Sequence, residues 1–325
     1  MMRAYSAIRA EVGITALCLF CLMEPANGRA DDVLWEGEVQ TLVSNDFESG
    51  LPVGWSIIVN GDTNATWRFD DPGAHGNVTG GAGGFAVIDS FDAGYVDADS
   101  ELRTSPYAVV HTALTYLVFR TDFMRYEFDP EEVADVDVST NGNTNVWYNI
   151  WRQTGASYTG QVRVDMTSLL KGASNFVVRF HYYHSICDWW WQIDDVAIVI
   201  EADGNANGLP DWWETQYYGG PTNLALDADG DHDGALDRDE WIAGTDPTNG
   251  MSVLRLGPPA QHEGHQEFEF PTCPGRIYTL MTCSDLMSGN WTNASPGIRG
   301  AGGVTNFIAN EDKRSGFYRV FAQRW

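Results

Sequence analysis

Two twelve-residue stretches carry carboxylates and amides at the spacing of a calcium loop. The first runs D-G-N-A-N-G-L-P-D-W-W-E over residues 203–214, and the second runs D-G-D-H-D-G-A-L-D-R-D-E over residues 229–240. Both fit D-x-[DN]-x-[DN]-G-x5-E without a mismatch. Calcium is a hard cation that takes six to eight oxygens, so the ligand types follow from position. In the first loop the side chains of Asp203, Asn205, Asn207, Asp211 and Glu214 and the carbonyl of Leu209 are the expected ligands. In the second they are Asp229, Asp231, Asp233, Asp237 and Glu240, with the carbonyl of Ala235. Gly208 and Gly234 occupy the sixth position, where the loop turns sharply. Residues 201–246 hold twelve carboxylates against the single Arg238. Without a cation those charges repel, and calcium is the expected cofactor that folds the segment into a stiff connector.

The elements around these loops are short. After Glu214 only Thr215 to Tyr218 can continue as helix before Gly219-Gly220-Pro221 stops it, and after Glu240 only Trp241 to Ala243 precede Gly244. Pro210 lacks the N–H that would pair two EF loops. The segment 201–250 is therefore EF-loop-like without being a calmodulin-type sensor. It is similar to bacterial thrombospondin type 3 calcium repeats, and the continuation E-W-I-A-G-T-D-P over residues 240–247 adds to that likeness.

Upstream, residues 41–200 alternate short apolar runs with Gly, Asn, Asp and Ser. Strands are expected at Phe85–Ile88, Ala113–Phe119, Val146–Trp151, Gln161–Met166, Phe176–Tyr182 and Gln192–Ile200. In the fifth run Phe176, Val178, Phe180 and Tyr182 fall on one face, with Arg179 and His181 on the other. Long amphipathic helices are absent from the pattern; residues 166–172 form at most a short one. Many short strands with turn signals imply a β-sandwich. Trp55 and Trp191 are large enough to plug its core.

The opening F-E-S-G-L-P-V-G-W over residues 47–55 and the closing W-Q-I-D-D-V over residues 191–196 resemble the MAM-like jelly roll of bacterial cleaved-adhesin and choice-of-anchor modules. The resemblance covers roughly residues 43–200. It implies a jelly-roll sandwich in which a calcium ion ties the first and last strands, with Glu48 and Asp194 as ligands by position and Asp99 as a third. The family's members act in adhesion, which implies an extracellular glycan or surface protein as partner.

Residues 251–325 read as a third unit, a small C-terminal β-sandwich with strands at Glu267–Phe270, Ile277–Met281 and Gly316–Phe321. Cys273 and Cys283 flank its P-G-R turn. Either a disulfide joins them or both are separate core thiols; Cys187 would remain unpaired. At the N-terminus Arg3 and Arg9 precede the apolar run Val12–Met23, and small residues follow. This is the pattern of a secretory signal peptide over residues 1–30, cleaved after Gly28 or Ala30. Secretion to the medium, the cell surface or the periplasm is the expectation. The run is too short to span a bilayer, and no sorting signal is legible at the C-terminus.

The chain carries 45 acidic and 19 basic residues, a net charge of −26. Such a surface repels nucleic acid and anionic membrane. Catalytic patterns are weak. H-E-G-H over residues 262–265 places its second histidine one residue too early for a metalloprotease helix, and His181 and His184 face opposite ways on a strand. No nucleophile elbow, P-loop or dinucleotide fingerprint occurs. The best binding candidate is the run Trp189-Trp190-Trp191, in which alternation puts Trp189 with Trp191 and Trp190 opposite. Trp189, Trp190, Tyr183 and Trp151 are the expected ligand-stacking residues. The expectation is a secreted calcium-binding recognition protein that is not an enzyme. The alternatives are an accessory module or cryptic polysaccharide hydrolase, and a structural spacer.

Overall fold

The computed structural model describes residues 39–125, 132–221, 224, 227–262, 265–287, 289–295, 297–309 and 316–324. The expected signal segment 1–30 lies outside them. The chain divides into two compact units, Glu38–Ala206 and, for its larger stretch, Asn207–Trp325.

The first unit holds β1 (Val39–Asn45), β2 (Ser56–Val59), β3 (Ala86–Asp89), α1 (Ser90–Ala93), β4 (Asp97–Arg103), β5 (Tyr107–Ala108), β6 (Ala113–Phe123), β7 (Val133–Thr140), β8 (Tyr148–Gln153), β9 (Tyr158–Asp165), α2 (Thr167–Leu170), β10 (Asn175–Ile186) and β11 (Trp190–Ala202). One sheet runs β1-β11-β6-β9 with β3 beside β11; the other runs β2-β4-β10-β7-β8 with β5 beside β10. The pairings are antiparallel, as the turn-rich sequence demands. Phe176, Val178, Phe180 and Tyr182 of β10 are fully buried, whereas Arg179, His181 and Tyr183 point out of the sandwich. They meet Leu117, Phe119, Phe123, Trp191 and Ile193 of the opposing sheet in one apolar core. Trp191 packs 5.2 Å from Trp67 and gives its indole N–H to Thr121 Oγ1 at 2.7 Å, so its one polar atom is satisfied inside the core. Trp55 closes the same core and donates to Tyr107 OH at 3.2 Å. All six expected runs fall on strands, and the short helix expected within residues 166–172 is α2 (Thr167–Leu170).

The second unit holds α3 (Asp211–Tyr218), α4 (Asp237–Ala243), β12 (Ala260–His262), β13 (His265–Thr272), β14 (Arg276–Cys283), β15 (Thr292–Asn293), β16 (Ile298–Arg299), β17 (Gly303–Ile308) and β18 (Phe317–Arg324). Two small sheets, β12-β13-β17 and β15-β14-β16 with β18 beside β14, enclose Phe268, Phe270, Phe307, Leu280 and Val320. Both helices end where the glycines stand: Gly219 and Gly244 adopt φ 78°, a left-handed cap that costs glycine little. Ala243 of α4 belongs to the strand core, and Tyr278 OH donates to its carbonyl at 2.8 Å. Arg276 Nη2 reaches the Trp241 carbonyl at 2.7 Å. The second loop and its helix therefore sit on the C-terminal strands, where the sequence suggested a connector separate from them.

The disulfide alternative is corrected. No disulfide joins Cys273 and Cys283. Cys283 ends β14 and Cys273 precedes its start, so an eight-residue strand separates them. At about 3.3 Å per residue that strand holds the pair far beyond the roughly 7 Å Cα limit of a bridge.

Candidate metal centre and aromatic surface

The second loop gathers its carboxylates as the spacing demands. Asp229, Asp231 and Asp233 each bring one oxygen within 4.8 Å of the others. His232 and Gly234, at φ 64° and 95°, bend the chain around them. Backbone amides fix one oxygen of each acid: Gly234 N donates to Asp229 Oδ2 at 3.1 Å, Asp233 N to Asp231 Oδ1 at 3.2 Å, and Ala235 N to Asp233 Oδ1 at 2.7 Å. The remaining oxygens, Asp229 Oδ1, Asp231 Oδ2 and Asp233 Oδ2, are buried without a hydrogen-bond partner. Glu240 is 1% exposed; its Oε1 accepts from Thr245 Oγ1 at 3.0 Å and its Oε2 is likewise buried without a partner. Burial, with repulsion from Asp231, Asp233 and Asp237, pushes the Glu240 carboxyl up to about 8 despite the Thr245 bond. Asp231 is raised by burial and by Asp233. Four orphaned carboxylate oxygens in one loop are costly unless a cation satisfies them. The donor set is all oxygen, which suits calcium and offers zinc none of its nitrogen or sulfur ligands.

Asp237 is engaged differently. Its Oδ1 accepts from Gly230 N at 2.9 Å and its Oδ2 from Tyr218 OH at 2.8 Å. It braces the loop through Tyr218 of α3. Ala235, the expected carbonyl ligand, is tied to Asp233 by its own amide, which donates to Oδ1 at 2.7 Å.

The first loop crosses the division of the chain. Asp203, whose N–H donates to Thr112 O at 2.8 Å, and Asn205 fall in the first unit. Asn207, Leu209, Asp211 and Glu214 fall in the second. There Asn207 Nδ2 donates to Glu214 Oε1 at 2.9 Å, and Asn207 Oδ1 accepts from Leu209 N at 2.8 Å. Leu209 is buried against Trp213 and Trp241, and Asp211 opens α3.

In the sandwich, Glu48 and Asp194 lie against the same glycine-rich loop. Glu48 Oε1 accepts from Gly84 N at 2.9 Å, and a Cβ at Gly83 would come 1.5 Å from that oxygen. Asp194 is buried; its Oδ2 accepts from Asn77 Nδ2 at 2.7 Å and its Oδ1 from Asp195 N at 2.7 Å. A Cβ at Gly81 would stand 2.1 Å from Asp194 Oδ2. Burial, aided by Asp195 and Asp46, pushes the Asp194 carboxyl up to about 6. Asp195, at φ 48° in a bulge of β11, turns outward to Arg120 at 3.1 Å. Asp99 is on the other sheet, 2.8 Å from His181 Nε2, and does not join this pair.

The four expected stacking residues separate. Trp189 precedes β11 and so does not share the face of Trp191, which is core; the left-handed Cys187 (φ 57°) breaks the alternation. Trp189 instead stacks on Phe91 with centroids 5.4 Å apart and meets Trp190 edge-on at 5.5 Å. Trp190 stacks on His75 at 3.8 Å and donates to Asp122 Oδ1 at 2.9 Å. Tyr183 lies on the outward face of the other sheet, where its OH donates to Asp135 Oδ2 at 3.0 Å. Burial and Asp135 push that phenol up to about 12. Trp151 packs against Phe119 at 5.6 Å and Trp191 at 6.1 Å and serves the core. Phe91 and His75 were not legible as partners, because only the fold brings residues 75, 91 and 189–190 together.

No protein-family model matches the sequence, and no curated protein matches it. Solved structures are similar to its first half. The K3 cleaved adhesin domain of Lys-gingipain from Porphyromonas gingivalis W83 aligns at 18% identity and TM-score 0.38, over 49% of this chain and 99% of that one. The K1 cleaved adhesin domain of the same protein aligns at 19% identity and TM-score 0.37, over 52% and 100%. TmCBM61, solved in complex with β-1,4-galactotriose, aligns at 14% identity and TM-score 0.32, over 47% and 93%.

Proposed function

We propose that this chain is a secreted, calcium-binding recognition protein whose sandwich binds an extracellular glycan or surface protein. Asp229, Asp231, Asp233 and Glu240 hold calcium in the second loop, in the manner of a thrombospondin type 3-like repeat. The observation that carries this reading is the set of four buried carboxylate oxygens without partners. When bound, calcium supplies the charge that lets Asp231 and Glu240 ionise together. The protein's part is to present oxygens from a loop braced by α3 and α4. Extracellular calcium modules bind with dissociation constants of roughly 10⁻⁴–10⁻³ M. At ten times that constant one site stabilises by about 1.4 kcal/mol. That is enough to order a loop and too little to define the fold. Binding, and not catalysis, is the role assigned here.

Calorimetric titration with calcium tests it, on the wild type and on Asp229→Ala. A millimolar-range site lost in the variant is expected. A variant that binds as the wild type does, or a wild type silent at millimolar calcium, would remove the metal centre. Release of reducing sugar from polysaccharides by the pure protein would favour the hydrolase instead.

A further inference from the structure

The first unit carries a rigid aromatic patch that is more exposed than its construction requires. Phe91 is 55% exposed and Tyr95 is 86% exposed, both on or just beyond the short α1. Large rings left in water cost free energy, and clusters of them on a fixed frame mark binding sites. The frame is fixed by four hydrogen bonds and two ring stacks. Asp89 Oδ1 accepts from Asp92 N at 2.8 Å and caps α1, which carries Phe91. Asp89 Oδ2 lies 2.7 Å from His75 Nε2, and the His75 ring supports Trp190. Trp190 is anchored to Asp122, and Ser90 N donates to Trp189 O at 3.1 Å, which ties α1 to the loop before β11. Trp189 backs Phe91 by stacking.

We infer that the Phe91–Trp189 stack is a carbohydrate-binding platform, with the free face of Phe91 as its contact surface and Trp190 and His75 as its support. This rests on the recognition reading above and assigns it a site and a ligand class, a neutral polysaccharide. A pyranose has an apolar C–H face and a rim of hydroxyls. The exposed ring face of Phe91 matches the first; for the rim, Arg68, paired with Asp70 at 2.6 Å, bridges Val87 of β3, the strand that leads into α1. An acidic chain of net charge −26 disfavours anionic polymers. A peptide would need a longer apolar groove or a free strand edge than two rings among charges provide. Trp190 has one face already covered by His75, so the contact role moves from the tryptophan run to Phe91.

Affinity electrophoresis of the full chain tests this, with galactan, mannan and mixed-linkage β-glucan as neutral probes and polygalacturonate as the anionic one. Phe91→Ala is the variant, since Phe91 is exposed. Trp147→Ala is the control: its ring lies under Arg103 at 5.1 Å and Arg179 at 4.4 Å, on the outward face of the other sheet. Retardation by a neutral probe that weakens at least tenfold in Phe91→Ala and persists in Trp147→Ala is the expected result. Retardation unchanged in Phe91→Ala and lost in Trp147→Ala would overturn this site and leave the recognition reading standing. Retardation by polygalacturonate alone would overturn the ligand class. No retardation by any probe, with Phe91-dependent binding to a peptide array, would overturn the glycan in favour of a protein partner.

Discussion

The phenol of Tyr218 donates a 2.8 Å hydrogen bond to Oδ2 of Asp237, so a side chain of α3 orients a carboxylate of the second loop. Asp237 in turn holds Gly230 N at 2.9 Å, at the start of that loop. Tyr218→Phe cuts this link and leaves a buried carboxylate oxygen short of a donor. Such a loss costs about 1.5–3 kcal/mol for a bond to a charged group. The expected outcome is a lower melting temperature and several-fold weaker calcium binding by calorimetry. Unchanged affinity would show that Asp237 is positioned without Tyr218.

Glu240 couples calcium to protons. Its folded carboxyl titrates at about 8, above the 4.5 of an ordinary glutamate, so the calcium-free folded state holds more protons between those values. The stability this group contributes is complete below about pH 4.5 and is lost as pH rises through about 8. Calcium must displace the proton. Calorimetry at about pH 7 in buffers of different ionisation enthalpy is expected to show close to one proton released per calcium, falling toward none above about pH 9. Glu240→Gln should abolish the release and weaken binding. A buffer-independent enthalpy at neutral pH would contradict the assignment.

The thiols offer a simple check. Cys187, Cys273 and Cys283 form no disulfide, so reductant should leave the melting temperature unchanged. Mass spectrometry after alkylation in denaturant should count three modified cysteines among residues 39–325 without prior reduction. A shift of the melting temperature by reductant, or two cysteines resistant to alkylation, would restore the bridge.

What the sequence revealed follows from where each signal resides. The strands of the core were legible because Phe176, Val178, Phe180 and Tyr182 repeat with period two, which a half-buried sheet imposes. β4 was not read as a strand, since D-A-D-S-E-L-R resembles a charged loop. Ala98, Ser100 and Leu102 face inward there, and Glu101 is tolerated because Arg103 at 2.7 Å and Arg179 at 3.1 Å neutralise it. That pairing depends on register with β10, which no local pattern encodes. The second calcium loop was legible because its ligands lie within twelve residues. The aromatic patch was only half legible: Trp189 and Trp190 stand out, but His75 and Phe91 join them through pairing of β3 with β11. The choice between a bridge and separate thiols at Cys273 and Cys283 stayed open in the sequence, because the expected strand at 277–281 stopped short of Cys283, which β14 includes.

Asp194 provides the sharpest test of the sandwich's own carboxylates. It is fully buried, and burial raises its carboxyl to about 6 from 3.8. Without calcium the charged form is therefore a burden at neutral pH: its contribution to stability is greatest below about pH 4 and is lost as pH rises through about 6. That shift corresponds to no more than about 3 kcal/mol. Asp194→Asn removes the charge but can accept from only one of Asn77 Nδ2 and Asp195 N through its single carbonyl oxygen, a loss of about 1 kcal/mol. The expected result in chelator is a sign change: the variant is less stable than wild type at about pH 4 and equal or more stable at about pH 7. If calcium binds beside Glu48 and Asp194, millimolar calcium restores the wild-type advantage at neutral pH. Measured by thermal unfolding in an Asp229→Ala background, which silences the second loop, that restoration isolates the sandwich site. A wild type no more stable than Asp194→Asn in calcium would leave Asp194 as a buried acid with a structural role only.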